Sequence, residues 1–373
     1  MASTTDLTEE QQSAVRLFFS PKPKNAIFII TGGPGTGKTT VLEHLYSPVL
    51  GMKHLILTKS WCAASHIQSV TGIDAIAIDK MDFSSPLISR YKHCILIMEE
   101  SSMISVETAA SIISDLEPIK LIIVGDVNQL ECQSGCSLLS TMLAASQEEG
   151  GNIPVVRLTK NLRQKGVATA LIENIASLGK DDWSGPLEDE TFIIKRFATT
   201  EEATAAAAGD FTSESQMIAF TNSIVDQLND QTSSHNIDRV ICTNTVIQRK
   251  KIKVANGVMG VRSEDGNSIK FKNGFVEKKN RNNAPFVSNP VAARCVTTHR
   301  LQGSEFDETG LLVLSWFKGG LSAKLIYTAI SRFKKKVVVY GERRLVDAAF
   351  KAKFSPSKVD MEVVSLLKEI DLD

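Results

Sequence analysis

Short apolar runs separated by helix-like stretches dominate the first 165 residues of the chain. The runs cover residues 26–30, 55–57, 94–98 and 121–124. This alternation is typical of a parallel β-sheet covered by helices. Three of the runs are followed at once by glycines or carboxylates, and open α/β sheets bind ligands at the carboxyl ends of their strands. The pattern predicts an α/β domain over residues 1–165 with its chemistry along one sheet edge.

The rest of the chain predicts a second α/β domain. Residues 166–210 contain Gly- and Pro-rich turns and an alanine-rich helix, which predicts a helical connector. The second domain is predicted over residues 211–345, with a β-rich insertion of short strands at about 238–290, as in a small barrel. Residues 346–373 predict a helical tail. The apolar runs of the second domain are residues 216–220, 293–297, 310–314 and 337–340.

The segment between the first apolar run and the next helix is rich in glycine. It is Gly32-Gly33-Pro34-Gly35-Thr36-Gly37-Lys38-Thr39 and fits the phosphate-loop pattern at every fixed position. Glycines let backbone N–H groups turn inward around phosphate oxygens, and a helix N-terminus favours anions. We expect Lys38 to contact the terminal phosphates and Thr39 to bind Mg²⁺, with Thr40 beside them. The sequence therefore predicts an ATP-binding protein that uses Mg²⁺.

Two carboxylates, Glu99 and Glu100, follow the apolar run 94–98 directly. Beside a phosphate loop, one carboxylate can hold the metal while the other orients and deprotonates the attacking water. We assign Glu99 to the metal and Glu100 to the base. The alternative is a strand that ends in two exposed acids with no chemical role.

Bulk composition limits the function classes. The chain has 42 Lys and Arg residues and 42 Asp and Glu residues, so no global charge attracts it to nucleic acid or membrane. It has no apolar run of about 20 residues and no N-terminal secretory pattern, which predicts an intracellular protein that does not span a membrane. Its six cysteines are scattered and predict neither a disulfide framework nor a metal site.

One region departs from this charge balance. Residues 249–300 hold 12 Lys or Arg residues and 3 Asp or Glu residues. A solvated basic face and a surface for nucleic acid both explain such a run.

Several segments, in the correct order, resemble the motifs of superfamily 1 helicases of the RecD-like and Pif-like branch. The resemblance extends from residue 7 to about residue 341. The segments are LTEEQ (7–11, the glutamine motif), GGPGTGKT (32–39), EESSM (99–103, motif II), GDVNQL (125–130, motif III), LTKNLRQ (158–164, motif IV), VANGVMGV (254–261), TTHRLQGS (297–304, motif V) and YTAISR (327–332, motif VI).

This resemblance implies two RecA-like parallel-sheet domains in tandem, with ATP hydrolysed between them. It implies that Gln11 contacts the adenine edge and that Gln302, Gly303 and Glu305 contribute to the nucleotide site. Gln129 and Gln302 suit a role in coupling nucleotide to nucleic acid, because both lie in loops that could touch each ligand.

Hydrolysis also needs positive charge on the transferred phosphoryl group from outside the phosphate loop. Arg332 is the candidate arginine finger, and Arg163, at the predicted domain junction, is the other candidate. Taken alone, each arginine is better explained as part of a surface salt bridge. The ordered motifs favour the catalytic interpretation.

Contacts to single-stranded nucleic acid need donors for phosphate and surfaces on which bases stack. Lys59 and Ser60, at the position of motif Ia, could hold phosphate. Trp61 could stack on a base or belong to the core. The candidates from the second domain are Asn222, Thr297, Thr298 and His299.

The chain departs from the family at several positions. Glu99 stands where the family usually has Asp, and Glu131-Cys132 replaces two prolines. The insertion at about 72–92, where a strand-separating pin would lie, is short.

The predicted function is an ATP-dependent helicase or translocase on single-stranded nucleic acid, with DNA and 5′-to-3′ polarity implied by the resemblance. A nucleotide-switched binding subunit with weak hydrolysis and an RNA helicase of the RNA-virus type remain alternatives. A small-molecule kinase explains neither Arg332 nor residues 297–304. No protein partner is predicted.

Overall fold

In the computed structural model, the chain divides into two compact units, residues 1–166 with 356–373, and residues 167–355. No helix among the residues it describes is long and apolar enough to cross a membrane. The described residues are 7–20, 26–45, 52–78, 89–133, 135–148, 152–162, 169–233, 238–248, 251–254, 257–272, 274–279, 285–316, 321–354, 357 and 359–364.

The first unit contains a six-stranded parallel sheet. Its strands are β1 Ile27–Gly32, β2 His54–Thr58, β3 Ala75–Ala77, β4 Ile95–Met98, β5 Lys120–Gly125 and β6 Val155–Leu158. Their order across the sheet is β3-β2-β4-β5-β1-β6, and every neighbouring pair is parallel. The strands predicted from the four apolar runs are confirmed. Strands β3 and β6 were not predicted because they are short, and β6 includes the exposed Arg157.

Helices cover both faces of this sheet, because successive strand residues point to opposite sides. Ile29 packs with Ala109 and Leu139 on one face, whereas Ile30 packs with Ala14 on the other. The helices are α1 Glu9–Phe19, α2 Lys38–Leu45, α3 Trp61–Thr71, α4 Val106–Leu116 and α5 Leu138–Gln147. α4 and α5 cover the first face, and α1, α2 and α3 cover the second.

The second unit contains a five-stranded parallel sheet and a β-rich insertion. The strands of this unit are β7 Phe192–Phe197, β8 Ser215–Ala219, β9 Arg239–Cys242, β10 Val246–Gln248, β11 Lys251–Val254, β12 Met259–Arg262, β13 Ser268–Phe271, β14 Val276–Lys278, β15 Pro290–Ala292, β16 Cys295–Thr297, β17 Thr309–Val313 and β18 Val337–Glu342. Its helices are α6 Ala170–Ser177, α7 Thr200–Gly209, α8 Asn222–Gln231, α9 Ala323–Ile330 and α10 Arg343–Lys351.

The parallel sheet of the second unit has the strand order β16-β8-β17-β18-β7. The four apolar runs predicted for this domain are its strands β8, β16, β17 and β18, so the two parallel-sheet domains are confirmed. The insertion forms an antiparallel sheet in the order β14-β13-β12-β9-β15 and a separate β10-β11 ribbon. Among the described residues this sheet is open, since its end strands β14 and β15 do not pair with each other.

The structure differs from the predicted connector over residues 166–210. Strand β7 lies in this stretch and pairs with β18 from Phe192 to Phe197, and α7 packs on the same sheet through Ala203 and Ala207. Only the first half of the β7 sequence FIIKRF is apolar, which is why the sequence pattern missed this edge strand.

The predicted tail also differs, because α10 belongs to the second unit and residues 356–373 to the first. The Asp360 N–H donates to Thr141 Oγ1 at 3.2 Å. Of the predicted insertion at 72–92, residues 79–88 lie outside the described residues.

Candidate functional site

The glycine-rich loop connects β1 to α2, as predicted. Gly35 and Gly37 have φ angles of 75° and 81°, in the left-handed region that favours glycine. At Gly32, an added Cβ atom would lie 2.8 Å from the Leu158 carbonyl oxygen and 2.6 Å from Thr36 Oγ1. The loop therefore keeps this shape only with glycine at these positions.

Lys38, the first residue of α2, is held over the loop. Its Nζ donates to the carbonyl oxygens of Gly32 at 2.7 Å and Gly33 at 3.0 Å. Thr36 Oγ1 also donates to the Gly33 carbonyl, at 2.8 Å. The first turn of α2 carries no acidic residue. A cation, a glycine turn and a helix N-terminus together fit a phosphate group.

Gln11 lies beneath this loop and is only 1% exposed. Its Nε2 donates to the Thr36 carbonyl at 3.1 Å, and its Oε1 accepts from the Thr8 N–H at 2.9 Å. The second bond belongs to a capping box that begins α1. Gln11 thus connects the first helix to the phosphate loop. Its contact with the adenine edge stays a prediction.

The neighbouring Glu10 joins α1 to the end of β6, a contact that sequence reasoning missed. Its carboxylate accepts from the N–H and the hydroxyl of Thr159. The hydrogen bond from the Thr159 hydroxyl is the main reason why the pKa of Glu10 is lowered. Arg163, a few residues further on, lies outside the described residues, so its role stays a prediction.

Glu99 and Glu100 follow β4 at the same edge of the sheet. The Glu99 N–H continues the strand pairing with the Leu57 carbonyl at 2.8 Å. Glu100 has φ 55° and ψ 35°, a left-handed conformation that costs a non-glycine residue roughly 1–2 kcal/mol. Such strained residues often occur at functional sites. The backbone thus turns sharply at the predicted base.

Among the described residues, no group of three or more His, Cys, Asp or Glu side chains could hold a metal ion. Mg²⁺ at phosphate sites commonly takes only one or two protein ligands and fills its shell with water and phosphate oxygens. The assignment of Thr39 and Glu99 to the metal therefore stays a prediction.

Strand β5 lies between β1 and β4, so its end separates the phosphate loop from the two glutamates. Asp126, at this end, is 4% exposed. Its carboxylate accepts from the Asn128 N–H at 3.0 Å and from Gln129 Nε2 at 3.3 Å. Asp126 therefore orients Gln129, a role that the motif pattern alone did not assign.

Lys59, Ser60 and Trp61 follow β2 at this edge. Ser60 caps α3, because its Oγ accepts from the Ala63 N–H at 3.2 Å. Trp61 is half-buried, and its Nε1 is enclosed without a hydrogen-bond partner among the described residues. Whether these side chains contact nucleic acid stays a prediction.

In the second unit, the motif V residues follow β16. Thr298 is fully buried and Gln302 is 5% exposed. Thr298 Oγ1 and both polar atoms of the Gln302 amide are enclosed without a hydrogen-bond partner among the described residues. Burying such groups unpaired costs about 1–3 kcal/mol each, and an orphaned group in a native protein calls for an explanation. These side chains fit a polar ligand.

His299 lies beside Thr298 and is exposed as a residue. Neighbouring protein atoms nonetheless desolvate its ring, which lowers the pKa of the imidazole from 6.5. The ring is therefore mainly neutral at pH 7 and suits hydrogen bonding rather than charge pairing. Asn222, the other predicted contact of this unit, is the exposed first residue of α8.

Arg332 is buried within the second unit, with 5% exposure. Its guanidinium donates to the carbonyl oxygens of Thr328 at 3.0 Å and Ser304 at 3.3 Å, and to Ser331 Oγ at 3.1 Å. This burial argues against the surface salt bridge considered for Arg332, and the described residues supply no carboxylate to it. Ser304 belongs to motif V, so motifs V and VI are packed together. Contact between Arg332 and nucleotide stays a prediction.

Gly303 and Glu305 flank Ser304 in the same loop. Gly303 has a φ of 76°, and Glu305 Oε2 lies 3.7 Å from Lys334 Nζ. The structure thus brings the motif V and VI residues together, and their contribution to the nucleotide site stays a prediction.

The glycine loop, the paired glutamates and the two parallel sheets define a phosphate-loop protein of the α/β class. The chain belongs to the AAA domain family, whose model matches residues 6–194, just over half of its 373 residues.

Curated relatives include RecD proteins. The chain is 28% identical over 168 residues to the ATP-dependent RecD2 DNA helicase of Deinococcus radiodurans, with 42% of this chain and 22% of the relative covered. It is 23% identical over 415 aligned positions to the RecBCD enzyme subunit RecD of Mycolicibacterium smegmatis, with 91% of this chain and 72% of the relative covered. The chain thus spans about a fifth of the first relative and nearly three quarters of the second.

Solved structures of Pif1 helicases share the fold over nearly the whole chain. The Bacteroides enzyme, in complex with ADP-AlF3 and ssDNA, matches with a TM-score of 0.58 at 17% identity, with 98% of each chain covered. The Candida albicans enzyme matches with a TM-score of 0.54 at 15% identity, again with 98% of each chain covered. Together these matches confirm the resemblance to RecD-like and Pif-like helicases.

Proposed function

We propose that this protein is an ATP-driven helicase or translocase that acts on single-stranded DNA. The observation that carries the proposal is the placement of the phosphate loop, Asp126 with Gln129, and Glu99 with Glu100. These groups follow the adjacent strands β1, β5 and β4 at one edge of a parallel sheet. That edge is where α/β sheets bind their ligands, and these groups suit hydrolysis of a nucleoside triphosphate.

Each side chain has a distinct role in the proposed reaction. Lys38 binds the terminal phosphates. Its hydrogen bonds to the Gly32 and Gly33 carbonyls are replaced by bonds to phosphate oxygens. Glu100 accepts a proton from the attacking water, because it is the carboxylate at the sharp turn after β4. Thr39 and Glu99 would hold Mg²⁺, which supplies charge neutralisation on the phosphate oxygens when bound.

Gln129 is the proposed coupling residue of this unit. Its amide is held by Asp126 at the end of the strand between the phosphate loop and Glu100. A change in charge at the phosphate loop or at Glu100 would therefore alter the hydrogen bonds that the Gln129 amide can form.

Single-stranded DNA as the substrate is supported by the similarity to the RecD2 DNA helicase and to Pif1. Thr297, Thr298, His299 and Asn222 are the proposed contacts in the second unit, and Lys59, Ser60 and Trp61 in the first. The Thr298 hydroxyl supports this choice, since it has no hydrogen-bond partner among the described residues and a DNA phosphate could accept from it.

The first experiment measures ATP hydrolysis with and without single-stranded DNA and RNA oligonucleotides. We expect DNA to stimulate turnover, and we expect Glu100→Gln to lower it by about 10²–10⁴-fold without loss of ATP binding. Glu43→Gln, an exposed carboxylate on α2, is the matched control and should match the unaltered chain.

Other outcomes of this experiment are equally informative. Stimulation by RNA alone would contradict the DNA assignment. Strand binding without stimulated turnover would instead support a nucleotide-switched binding subunit. The implied 5′-to-3′ polarity is tested with duplexes that carry a single 5′ or 3′ tail, and unwinding only from a 3′ tail would contradict it.

A further inference from the structure

Trp316 lies at the carboxyl edge of the second unit's parallel sheet, three residues after the last residue of β17. It is 60% exposed. The other two tryptophans, Trp61 and Trp183, are half-buried, and Trp183 packs edge-on against Phe350 at 6.1 Å. Tryptophan is highly buried on average in folded proteins, so the exposure of Trp316 distinguishes it from the other two tryptophans.

Strand register places Trp316 beside the motif V residues. Thr297 is paired with Ala219, and Ala219 is paired with Val313, so the ends of β16, β8 and β17 form one row. Two strand spacings separate Thr297 from Val313 across this row, which is roughly 10 Å. Trp316 and the proposed DNA contacts of this unit therefore lie along the same short edge.

Polar groups at this edge complete the surroundings of the ring. Ser315 is 3% exposed, and its Oγ is enclosed without a hydrogen-bond partner among the described residues, as is Thr298 Oγ1. Arg300, two residues after Thr298, is exposed. A stacking surface, hydroxyl donors and a cation are the groups by which proteins bind single-stranded nucleic acid without reading its sequence.

We propose that Trp316 stacks on a base of the bound single strand and that the Ser315 hydroxyl hydrogen-bonds to its sugar-phosphate backbone. This inference rests on the proposed function and extends the predicted contacts of the second unit from β16 and β8 to β17. The Ser315 and Thr298 hydroxyls, which follow the two strands that flank β8, find acceptors on one continuous ligand that crosses all three strand ends.

Affinity for a labelled oligothymidylate, measured by fluorescence anisotropy, tests the stacking contact. Because base–aromatic stacking contributes about 1–3 kcal/mol per base, Trp316→Ala should weaken binding roughly 5- to 100-fold. Trp316→Phe keeps an aromatic face and should stay within about threefold of the unaltered chain. Leu187→Ala is the matched control, since Leu187 is an exposed apolar residue of the same unit, 48% exposed.

Salt dependence separates stacking from a general electrostatic effect. Trp316→Ala should leave the slope of log Kd against log salt unchanged, whereas Arg300→Ala should reduce it by about 1. Intrinsic fluorescence gives an independent reading. Strand binding should quench the tryptophan emission, and Trp316→Phe should remove most of that quenching while Trp183→Phe should not.

The outcomes distinguish this inference from the proposed function. The stacking role is wrong if Trp316→Ala binds the oligonucleotide as well as the unaltered chain does and the tryptophan emission of Trp316→Phe is still fully quenched on binding. The proposed function would stand in that case. If the unaltered chain neither binds the strand nor hydrolyses ATP, both are wrong.

Discussion

The carboxyl edges of the two parallel sheets carry similar residue types in opposite states. In the first unit, Thr58 and Thr36 bond to the local backbone and Gln129 bonds to the Asp126 carboxylate. In the second unit, Thr298, Gln302 and Ser315 hold enclosed polar atoms with no hydrogen-bond partner among the described residues. These groups of the first unit are thus satisfied within the protein, whereas a ligand could supply the hydrogen bonds that the groups of the second unit lack.

This difference suits the two ligands proposed. A small, highly charged nucleotide needs a preformed loop whose shape does not change on binding. An extended single strand of DNA can contact the ends of three β-strands at once and accept hydrogen bonds from the donors there. The unpaired polar groups at the second edge raise the free energy of the unbound protein, because they are removed from water without a hydrogen bond. Binding of DNA would offset this cost.

The largest effect is expected from Arg332→Ala. It removes a buried guanidinium and the hydrogen bonds that this group donates to the carbonyls of Thr328 and Ser304. We expect a loss of about 2–5 kcal/mol in the free energy of unfolding, measured by denaturant titration. Arg343→Ala, an exposed arginine on α10, should change it by less than about 0.5 kcal/mol. ATPase activity of the Arg332 variant well below its Tm then tests catalysis apart from stability.

Gly37→Ala tests how rigid the first edge is. The substitution adds a Cβ at φ 81° and against the Gln11 amide, so we expect loss of ATP binding and about 1–3 kcal/mol of stability. Gly72→Ala is the control, because Gly72 has a similar φ of 70° with nothing within 4 Å of an added Cβ. Equal ATP affinity of the two variants, measured by calorimetry, would contradict a preformed loop.

A pair of Thr→Val substitutions tests the comparison directly. Thr58 is buried in the first unit and donates to the Ser60 carbonyl at 2.7 Å, so Thr58→Val should destabilise the protein by about 1–2 kcal/mol. Thr298→Val removes a hydroxyl that has no hydrogen-bond partner among the described residues, so it should be neutral or stabilising in the absence of DNA. It should also lower the affinity for single-stranded DNA. Thermal unfolding with and without oligothymidylate gives both readings.

The smallest effect concerns pH. Asp210, in the second unit, accepts hydrogen bonds from Lys195 and Tyr340, and the bond from Lys195 is the main cause of its lowered pKa. A carboxyl whose pKa is lowered in the folded state stabilises the protein at pH values above its ordinary pKa of 3.8. That contribution disappears as the pH falls through the folded-state pKa. Asp210→Asn should therefore cost less than about 1 kcal/mol at pH 7. The gap in Tm between variant and unaltered chain should close below about pH 4.

Sequence patterns predicted the elements whose signals are local. The apolar runs in β2, β4 and β5 are fully buried, and the glycine spacing predicted the phosphate loop. Strand β7 was missed because its second half is Lys195-Arg196-Phe197, an edge-strand pattern. The bonds of Gln11 to the loop and of Arg332 to motif V join residues that local patterns cannot relate.

Trp316 was missed for a different reason. A tryptophan directly after an apolar run has the composition of a core residue, and only its 60% exposure distinguishes it from one. The exposure of a side chain depends on how the chain leaves the strand, which no local pattern determines. The same holds for the unpartnered hydroxyls of Thr298 and Ser315.

The bond from Gln11 to the Thr36 carbonyl makes the first helix a reporter of the nucleotide. A ligand that binds the folded loop raises the free energy needed to open the elements bonded to it. The amide protons of α1 should then exchange more slowly with solvent deuterium when ATP is present. Gln11→Ala should weaken this slowing while leaving the helix folded, because it removes the side-chain bond between α1 and the loop.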